Sequence, residues 1–212
     1  MIVLEKELSI LLSKLQGIAQ TGKQFGKDIF DQERYEELSI VAKELTHLLY
    51  PELPERELMI FFDEDEGYAT PKVDIRAVVF NQEGKLLLVK EKSDDSWALP
   101  GGWADIGYSP KEVAEKEVME ETGLKVKAER LVAVLDKAKH AYPSSLTYVY
   151  KFFIRCQPIG QKIKPGIETS EVGYFTLEEI YALKLSKARA IKQNYEMLFH
   201  DYQHEKNEMI CD

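Results

Sequence analysis

The chain has 212 residues, a formal net charge of −9, and a composition that is 44% hydrophobic and 31% charged. This length allows one large domain, or a catalytic domain with a small companion. The excess of acidic residues opposes non-specific attraction to nucleic acid and to anionic membranes. No apolar run approaches the roughly 20 residues that span a bilayer, and Glu5, Lys6 and Glu7 interrupt the segment where a signal peptide needs its apolar core. We therefore expect a soluble cytoplasmic protein without a membrane partner.

The two cysteines, Cys156 and Cys211, are far apart in the sequence and have no metal-ligand spacing. Cys156 falls in an apolar, strand-like run, and Cys211 lies near the end of the chain. We predict two reduced thiols without a role in metal binding.

The first part of the chain, from about residue 4 to residue 62, has helical periodicity with two apolar stripes. One consists of Leu4, Leu8, Leu11, Leu15 and Ile18, and the other of Tyr35, Leu38, Ala42, Leu45 and Leu49. The acidic, glycine-containing stretch DEDEGYATP follows, and predicts a boundary near Tyr68 between a helical domain (1–66) and a second domain (67–212). Short helices bury little apolar surface alone, so the stripes should pack against another surface. We favour contacts in a homodimer, and a lid packed on the chain's own catalytic domain is the alternative.

After this boundary the pattern changes to short strands. VDIRAVVF (73–80) and KLLLVKEK (85–92) are separated by a turn and predict a hairpin. The remaining predicted elements are strands in LVAVLDKA, TYVYKFFIRC and EVGYF, and helices at Ser109–Thr122, Leu177–Tyr181 and Ala188–Tyr202. Strands that flank a central helix, with another helix at the end, predict an α/β sandwich with a mixed sheet.

The helix predicted at Ser109–Thr122 carries acids on its apolar side. Its first residue and Glu112 form a capping-box pattern, and Gly123 provides the stop. At about 100° per residue, Glu121 falls about 40° from Glu117, and both lie inside the apolar arc. Clustered inward carboxylates are costly to desolvate, so a cation should neutralise them, and oxygen ligands suit Mg²⁺ or Mn²⁺. A solvated acidic patch is the alternative.

The segment GWADIGYSPKEVAEKEVMEETGL (102–124) resembles the Nudix box, G-x5-E-x7-R-E-U-x-E-E-x-G-U, where U is a bulky aliphatic residue. The matching positions are Gly102, Glu117, Val118, Glu120, Glu121, Gly123 and Leu124. Tyr108 replaces the first glutamate of the box and Lys116 replaces its arginine. In typical members those two positions support the loop and helix by charge pairing. Tyr108 with Lys116 could keep a weaker link, or Lys116 could pair with acids along the helix.

The resemblance implies a Nudix-type α/β/α sandwich with a mixed sheet, preceded by a small all-helical domain. It implies a Nudix hydrolase that uses Mg²⁺ or Mn²⁺ to cleave a nucleoside diphosphate linked to another group. The segment KEKSDDSWALPGGWADIGYSPKEVAEKEVMEETG, with a short helical domain before it, most resembles the bacterial CDP-choline pyrophosphatase branch, which releases CMP and phosphocholine. Carried over residue by residue, Glu117 and Glu121 are expected metal ligands, Glu120 a ligand or a supporting group, and a carbonyl of Gly101 or Gly102 a further ligand.

The general base has candidates in two places. Glu120 belongs to the box, whereas Glu168 and Glu171 lie in the later loop GIETSE. For these two later acids, an ordinary solvated loop position is the alternative. The sequence does not decide between the candidates.

Candidate substrate-binding residues are Arg76, Trp103, Tyr108 and Tyr142. Aromatic faces can hold a quaternary ammonium or stack on a nucleobase, and an arginine on a strand could contact phosphate. For Trp97 and Tyr148, a position in the core is favoured instead.

Three other functions stay open at this stage. They are RNA 3′-end processing, hydrolysis of ADP-ribose or NDP-sugars, and ligand sensing by a non-catalytic Nudix module. The net charge of −9 disfavours RNA as the main partner. The sequence leaves the leaving group and the number of metal ions undetermined.

Overall fold

The computed structural model describes residues 2–62, 66–160, 162–204 and 208–212. The chain divides into two compact units, one made of Met1–Pro71 with Ser144–Tyr148 and the other of Lys72–Pro143 with Val149–Asp212. Part of the predicted boundary segment, residues 63–65, lies outside the described residues. Within the described part of the chain, no helix is both long enough and apolar enough to cross a membrane.

The N-terminal unit contains helices α1 (Ile2–Phe25), α2 (Ile29–Leu49) and α3 (Glu55–Phe62). Helix α2 begins after Asp28, whose carboxylate accepts hydrogen bonds from the first backbone N–H groups of the helix. The buried apolar cluster of this unit is small and consists of Ala42, Leu58 and Phe62. Many apolar side chains of α1 and α2 are therefore left on the surface.

The described strands of the second unit form two sheets. One has the order β1-β5-β4-β7 and consists of β1 (Lys72–Val79), β5 (Val149–Pro158), β4 (Val126–Asp136) and β7 (Ile210–Cys211). The other has the order β3-β2-β6 and consists of β3 (Trp97–Ala98), β2 (Leu86–Glu91) and β6 (Thr169–Phe175). Strand β1 runs parallel to β5, and β4 runs antiparallel to β5. The first sheet is therefore mixed, as the sequence predicts.

The prediction that residues 73–80 and 85–92 form a hairpin is wrong. Strands β1 and β2 lie in different sheets and share an isolated bridge beside the turn between them. The side-chain oxygen of Asn81 accepts hydrogen bonds from the backbone N–H groups of Glu83 (3.0 Å) and Lys85 (2.9 Å), so the turn itself forms as expected. Both strands are buried along most of their length. Their apolar pattern therefore cannot show which partner each strand takes.

Helices cover both faces of the strands. Helix α4 (Pro110–Thr122) packs into one apolar cluster, and α5 (Leu177–Ala182) and α6 (Lys192–His204) pack into another. The α4 cluster includes Ile75, Leu87, Val113 and Val118. The α5–α6 cluster includes Val78, Leu88, Ile180 and Leu198. Because alternate residues of β1 and β2 face the two clusters, the strands form the middle layer, and the predicted α/β/α sandwich is confirmed.

Candidate active site

Helix α4 begins and ends where the sequence predicts. The Ser109 hydroxyl accepts a hydrogen bond from the Glu112 N–H at 3.3 Å, and the Glu112 carboxylate accepts one from the Ser109 N–H at 2.8 Å. Gly123 ends the helix with φ of 64°, in the left-handed region that favours glycine. Glu112 is therefore a capping residue on the exposed side of the helix.

The two acids predicted to face inward lie against the glycine loop that precedes the helix. The Gly101 N–H donates a hydrogen bond to a Glu121 carboxylate oxygen at 3.1 Å. A Cβ atom on Gly102 would lie 2.9 Å from a Glu117 carboxylate oxygen, so the backbone there passes close to that side chain. The structure thus brings together four of the predicted metal-site residues: Gly101, Gly102, Glu117 and Glu121.

Negative charge is concentrated around the carboxylates of Glu117 and Glu121. Glu121 is only 6% exposed, and its pKa is raised to about 8 by burial first, and then by the neighbouring carboxylates of Glu117 and Glu91. The pKa of Glu117 is also raised, by burial and by the charge of Glu120. The charge of Arg76 acts in the opposite direction on both acids but does not cancel these effects.

Glu91 is a member of this cluster that the sequence analysis did not identify. It lies at the end of β2, is 7% exposed, and has an oxygen 3.4 Å from the Nε of Arg189. In the sequence it is one acid in the charged run KEK at the end of a strand, which is typical of a solvated strand end. The pairing of β2 with β6 brings Glu91 close enough to Glu121 for the two charges to interact, and this pairing cannot be read from the sequence.

The arrangement fits a divalent cation of the magnesium type. Among the described residues, no three His, Cys, Asp or Glu side chains are grouped so that they alone could hold an ion. Mg²⁺ is typically bound by one or two carboxylates, with waters and substrate phosphates at its other positions. Burial raises the pKa of Glu121, and a cation bound beside it would favour the ionised carboxylate. Of the two glycine carbonyls, that of Gly102 already accepts a hydrogen bond from the Ile75 N–H at 2.8 Å.

The candidate bases occupy different positions. Glu120 is exposed on α4, and its charge acts on neighbouring Glu117. Glu168 is also exposed, and the hydroxyl of the next residue, Thr169, donates a hydrogen bond to the Glu121 backbone carbonyl at 2.8 Å. This bond holds the loop before β6 at the end of α4. Glu120 and Glu168 therefore both lie on segments next to the Glu117 and Glu121 pair.

Glu171 is not brought to this pair. It lies on β6, where the next residue, Val172, packs into the α4 cluster, so the Glu171 side chain points to the opposite face of the strand. There its carboxylate binds the Lys90 ammonium at 2.9 Å. The sequence prediction of Glu171 as a base is not supported by this geometry, because the spacing of a loop does not reveal which face of a strand follows it.

Arg76 belongs to a buried charge network. It is 6% exposed, and its guanidinium donates to the Asp74 carboxylate at 2.7 Å and to the Leu99 carbonyl at 3.2 Å. Lys151 also binds Asp74, and burial lowers the pKa of Lys151 to about 8 although Asp74 acts in the opposite direction. In this structure the guanidinium of Arg76 is engaged within the protein, and its predicted contact with phosphate stays a prediction.

The predicted aromatic residues fall into two groups. Trp103 and Tyr108 lie on the loop before α4 and are 55% and 51% exposed. The Lys116 ammonium lies over one face of the Tyr108 ring, and the rest of that side chain is accessible to a ligand. Tyr142 is only 4% exposed, and its hydroxyl donates a hydrogen bond to the Asn194 side chain. Burial of the Tyr142 ring does not support its predicted contact with substrate. Trp97 is buried at 8% exposure, which confirms its predicted core position.

Helix α4, its acids and the glycine loop on an α/β/α sandwich define the class of the protein as a hydrolase of the Nudix type. The chain belongs to the NUDIX family, because its residues 70–198 match the model described as "NUDIX domain". Members of this family generally use divalent metal ions. Residues 7–56 match a second model, described as "UDP-X-like, N-terminal oligomerisation domain".

Similar proteins include a Bacillus subtilis (strain 168) protein named "Putative ADP-ribose pyrophosphatase YjhB". It is 38% identical over 202 residues, which cover 94% of this chain and 94% of that protein. A crystal structure of an ADP-ribose pyrophosphatase from Streptococcus suis 89-1591 is 38% identical, with a TM-score of 0.60, and the match covers 68% of this chain and 100% of that one. A crystal structure of UDP-X diphosphatase is 33% identical, with a TM-score of 0.61, and the match covers 97% of this chain and 98% of that one.

Proposed function

We propose that this chain is a divalent-metal-dependent pyrophosphohydrolase that cleaves the diphosphate of a nucleoside diphosphate joined to a second group. One observation carries the proposal: the buried Glu121 carboxylate lies beside Glu117 and Glu91 and is fixed by the Gly101 N–H. A helix rarely turns acids towards its apolar side without a cation to neutralise them. Membership of the NUDIX family supports the same chemistry.

The residues of the site have separate roles in this proposal. Glu117 and Glu121 hold the ion, with the carbonyl of Gly101 or Gly102 as a backbone ligand; that of Gly102 has one lone pair left beside its hydrogen bond from Ile75. A bound Mg²⁺ or Mn²⁺ would neutralise the diphosphate and lower the pKa of the attacking water. Glu120 is the first choice as the base that takes the proton from that water, and Glu168 is the second, because both lie on segments next to the pair.

The substrate is expected to combine a nucleoside diphosphate with a second group that the loop aromatics can contact. The sequence favours CDP-choline, whereas the names of similar proteins refer to ADP-ribose and UDP-X. The exposed rings of Trp103 and Tyr108 suit either a stacked nucleobase or a quaternary ammonium. We therefore propose nucleoside diphosphate conjugates as the substrate class, with CDP-choline, ADP-ribose and UDP-sugars as the compounds to compare.

The test measures release of nucleoside monophosphate from these compounds, with Mg²⁺ or Mn²⁺ and with EDTA. We expect EDTA to abolish release and Glu121→Gln to lower it by at least about 100-fold, because loss of a direct ligand should cost no less than loss of an outer-shell partner. Glu112→Gln is the matched control on the same helix, because glutamine also completes a capping box. It should keep near-parent activity. A chain that releases no nucleotide from any compound with either metal contradicts the proposal.

A labelled oligonucleotide belongs in the same assay. The net charge of −9 opposes RNA binding, so we expect no metal-dependent shortening of its 3′ end at substrate concentrations that give full turnover of the conjugates. Rapid shortening would instead favour the RNA-processing alternative.

The N-terminal unit is proposed to join two copies of the chain in a homodimer. On α1, the residues Leu4, Leu11, Ile18 and Phe25 recur every seven positions, and each is 54–60% exposed. A seven-residue repeat forms a continuous apolar seam along one helix face, as in helices that pair with each other. A second apolar row, formed by Val41, Leu45 and Leu48, is exposed on α2. The match of residues 7–56 to an oligomerisation domain supports a second copy as the occupant of these faces.

A further inference from the structure

The two altered positions of the Nudix box, Tyr108 and Lys116, are joined by a third residue. The Lys116 ammonium lies 2.7 Å from the Asp105 carboxylate and 5.4 Å from the centre of the Tyr108 ring. Asp105 lies in the loop that carries the glycines, and Lys116 lies on α4 immediately before Glu117. The contact therefore joins the loop to the helix, beside the acids of the site.

The two halves of this loop are held differently. The first half is fixed to β1, since the Ile75 N–H donates to the Gly102 carbonyl at 2.8 Å and the Ala104 N–H donates to the Val73 carbonyl at 2.9 Å. The half that follows turns outward, and Ile106 at its tip is fully exposed. The ion pair of Asp105 with Lys116 ties this outer half to α4.

We infer that Asp105 supplies the loop carboxylate that the variant box lacks at position 108, and that it acts with Lys116 as a clamp that positions the metal site. This inference rests on the proposed metal-dependent function. Asp105 and Lys116 are positioning residues, because they act through the placement of Glu117, which follows Lys116 on α4. The Tyr108 ring completes the clamp by covering the Lys116 ammonium.

Two effects of Lys116 on metal binding have opposite signs: the repulsion between its charge and a metal ion, and its role in positioning the site. Its charge acts on the neighbouring acids Glu117 and Glu120. If charge alone mattered, removing this cation would strengthen binding of a divalent metal. If the clamp positions the site, removing either partner weakens metal binding, and the sign of the Lys116→Gln effect separates the two explanations.

The experiment titrates the full-length protein with Mn²⁺ in the absence of substrate and follows the thermal unfolding midpoint. We expect Asp105→Asn to raise the dissociation constant for Mn²⁺, fitted from the rise of the midpoint with Mn²⁺ concentration, by about tenfold, the lower range for residues that orient metal ligands. Lys116→Gln should change it in the same direction. The double variant should be no worse than either single variant, because both break the same contact.

One further variant controls for the loss of a surface ion pair, and another should restore metal binding. Asp31→Asn is the matched control, because Asp31 also forms a 2.7 Å ion pair, with Arg34, and its side chain is 54% exposed against 51% for Asp105. It should bind Mn²⁺ like the parent. Asp105→Asn combined with Tyr108→Glu moves the acid to the position that the family uses, and it should restore Mn²⁺ binding.

The outcomes are distinguishable. Parent-like Mn²⁺ binding in Asp105→Asn, or tighter binding in Lys116→Gln, would overturn the clamp and leave the proposed function standing. A parent chain whose unfolding midpoint does not respond to Mn²⁺ would overturn the clamp, because no metal site would then be formed before substrate binds. The proposed function is overturned separately, by a parent chain that releases no nucleotide with either metal.

Discussion

Gly101 shows how a residue without a side chain shapes the site. Its φ is 143°, and a Cβ atom there would lie 2.0 Å from the Ile75 carbonyl oxygen, a backbone atom that cannot rotate away. Gly107, in the same loop, also has a positive φ, of 93°, but a Cβ atom there would meet nothing within 4 Å. Substitutions at these two glycines therefore distinguish the cost of a positive φ, which both share, from the cost of a steric clash, which only Gly101 would have.

We expect Gly107→Ala to lower the free energy of unfolding by about 1 kcal/mol, the cost of strain at a positive φ. Gly101→Ala adds the clash with β1, so we expect a loss of at least about 3 kcal/mol. Unfolding in urea measures both. Equal losses for the two variants would show that the loop can move away from β1.

The two cysteines should differ in reactivity. Burial raises the pKa of Cys156 to about 12, and the nearby acids Glu115 and Glu129 act in the same direction. Because the thiolate is the reactive form, a raised pKa leaves Cys156 protonated near pH 8, and its labelling should accelerate only as the pH rises towards about 12. Cys211 is exposed.

With Ellman's reagent near pH 8, we expect one thiol per native chain to react. Cys211→Ser should then show no fast-reacting thiol until denaturant is added, whereas Cys156→Ser should react like the parent. Fast labelling of native Cys211→Ser would show that Cys156 is accessible and contradict the prediction.

At the scale of the element, the boundaries of α4 were predictable because local residues determine them. Ser109, Glu112 and Gly123 satisfy backbone groups at the helix ends, and this information is contained in neighbouring positions. The partners of β1 and β2 were not predictable, because both strands are buried and either could pair with any other strand. The two-residue strand β7 is too short for any periodicity.

The cap of α4 gives a prediction for the element that carries the acids. Ser109→Ala removes the side chain that accepts from the Glu112 N–H, and should lower the free energy of unfolding by about 1 kcal/mol. Thr176→Ala is the matched control, because Thr176 and Glu179 form the same capping box on α5. It should cost a similar free energy.

Activity distinguishes these two cap variants. Helix α5 carries none of the proposed metal-site acids, so Thr176→Ala should keep parent activity well below its unfolding temperature. Ser109→Ala loosens the start of α4 and should reduce metal-dependent hydrolysis severalfold under the same conditions. If both variants lose activity equally, the cap acts through stability alone.

At the scale of the whole molecule, the sequence predicted the sandwich and the facing acids better than it predicted which distant residues join the site. Glu117 and Glu121 are four positions apart on one helix, so their common face follows from helix geometry. Glu91 and Asp105 reach the site through strand pairing and a loop conformation, which depend on contacts distant in sequence. The strand face of Glu171 and the burial of Tyr142 depend on such contacts too, so the sequence could not show that the geometry does not support either residue as a candidate.

The apolar seam of α1 gives the prediction for assembly. The chain mass is 24.4 kDa, and light scattering on the purified protein should give twice this value. Replacing both Leu11 and Ile18 by glutamate places charges in the middle of the seam, and should yield a folded monomer because neither side chain is part of the buried cluster of its unit. Ile159→Glu is the matched control, since Ile159 is 68% exposed on the other unit, and it should stay dimeric. A monomeric parent chain would refute the homodimer, and a dimer that survives both glutamates would move the interface away from this face of α1.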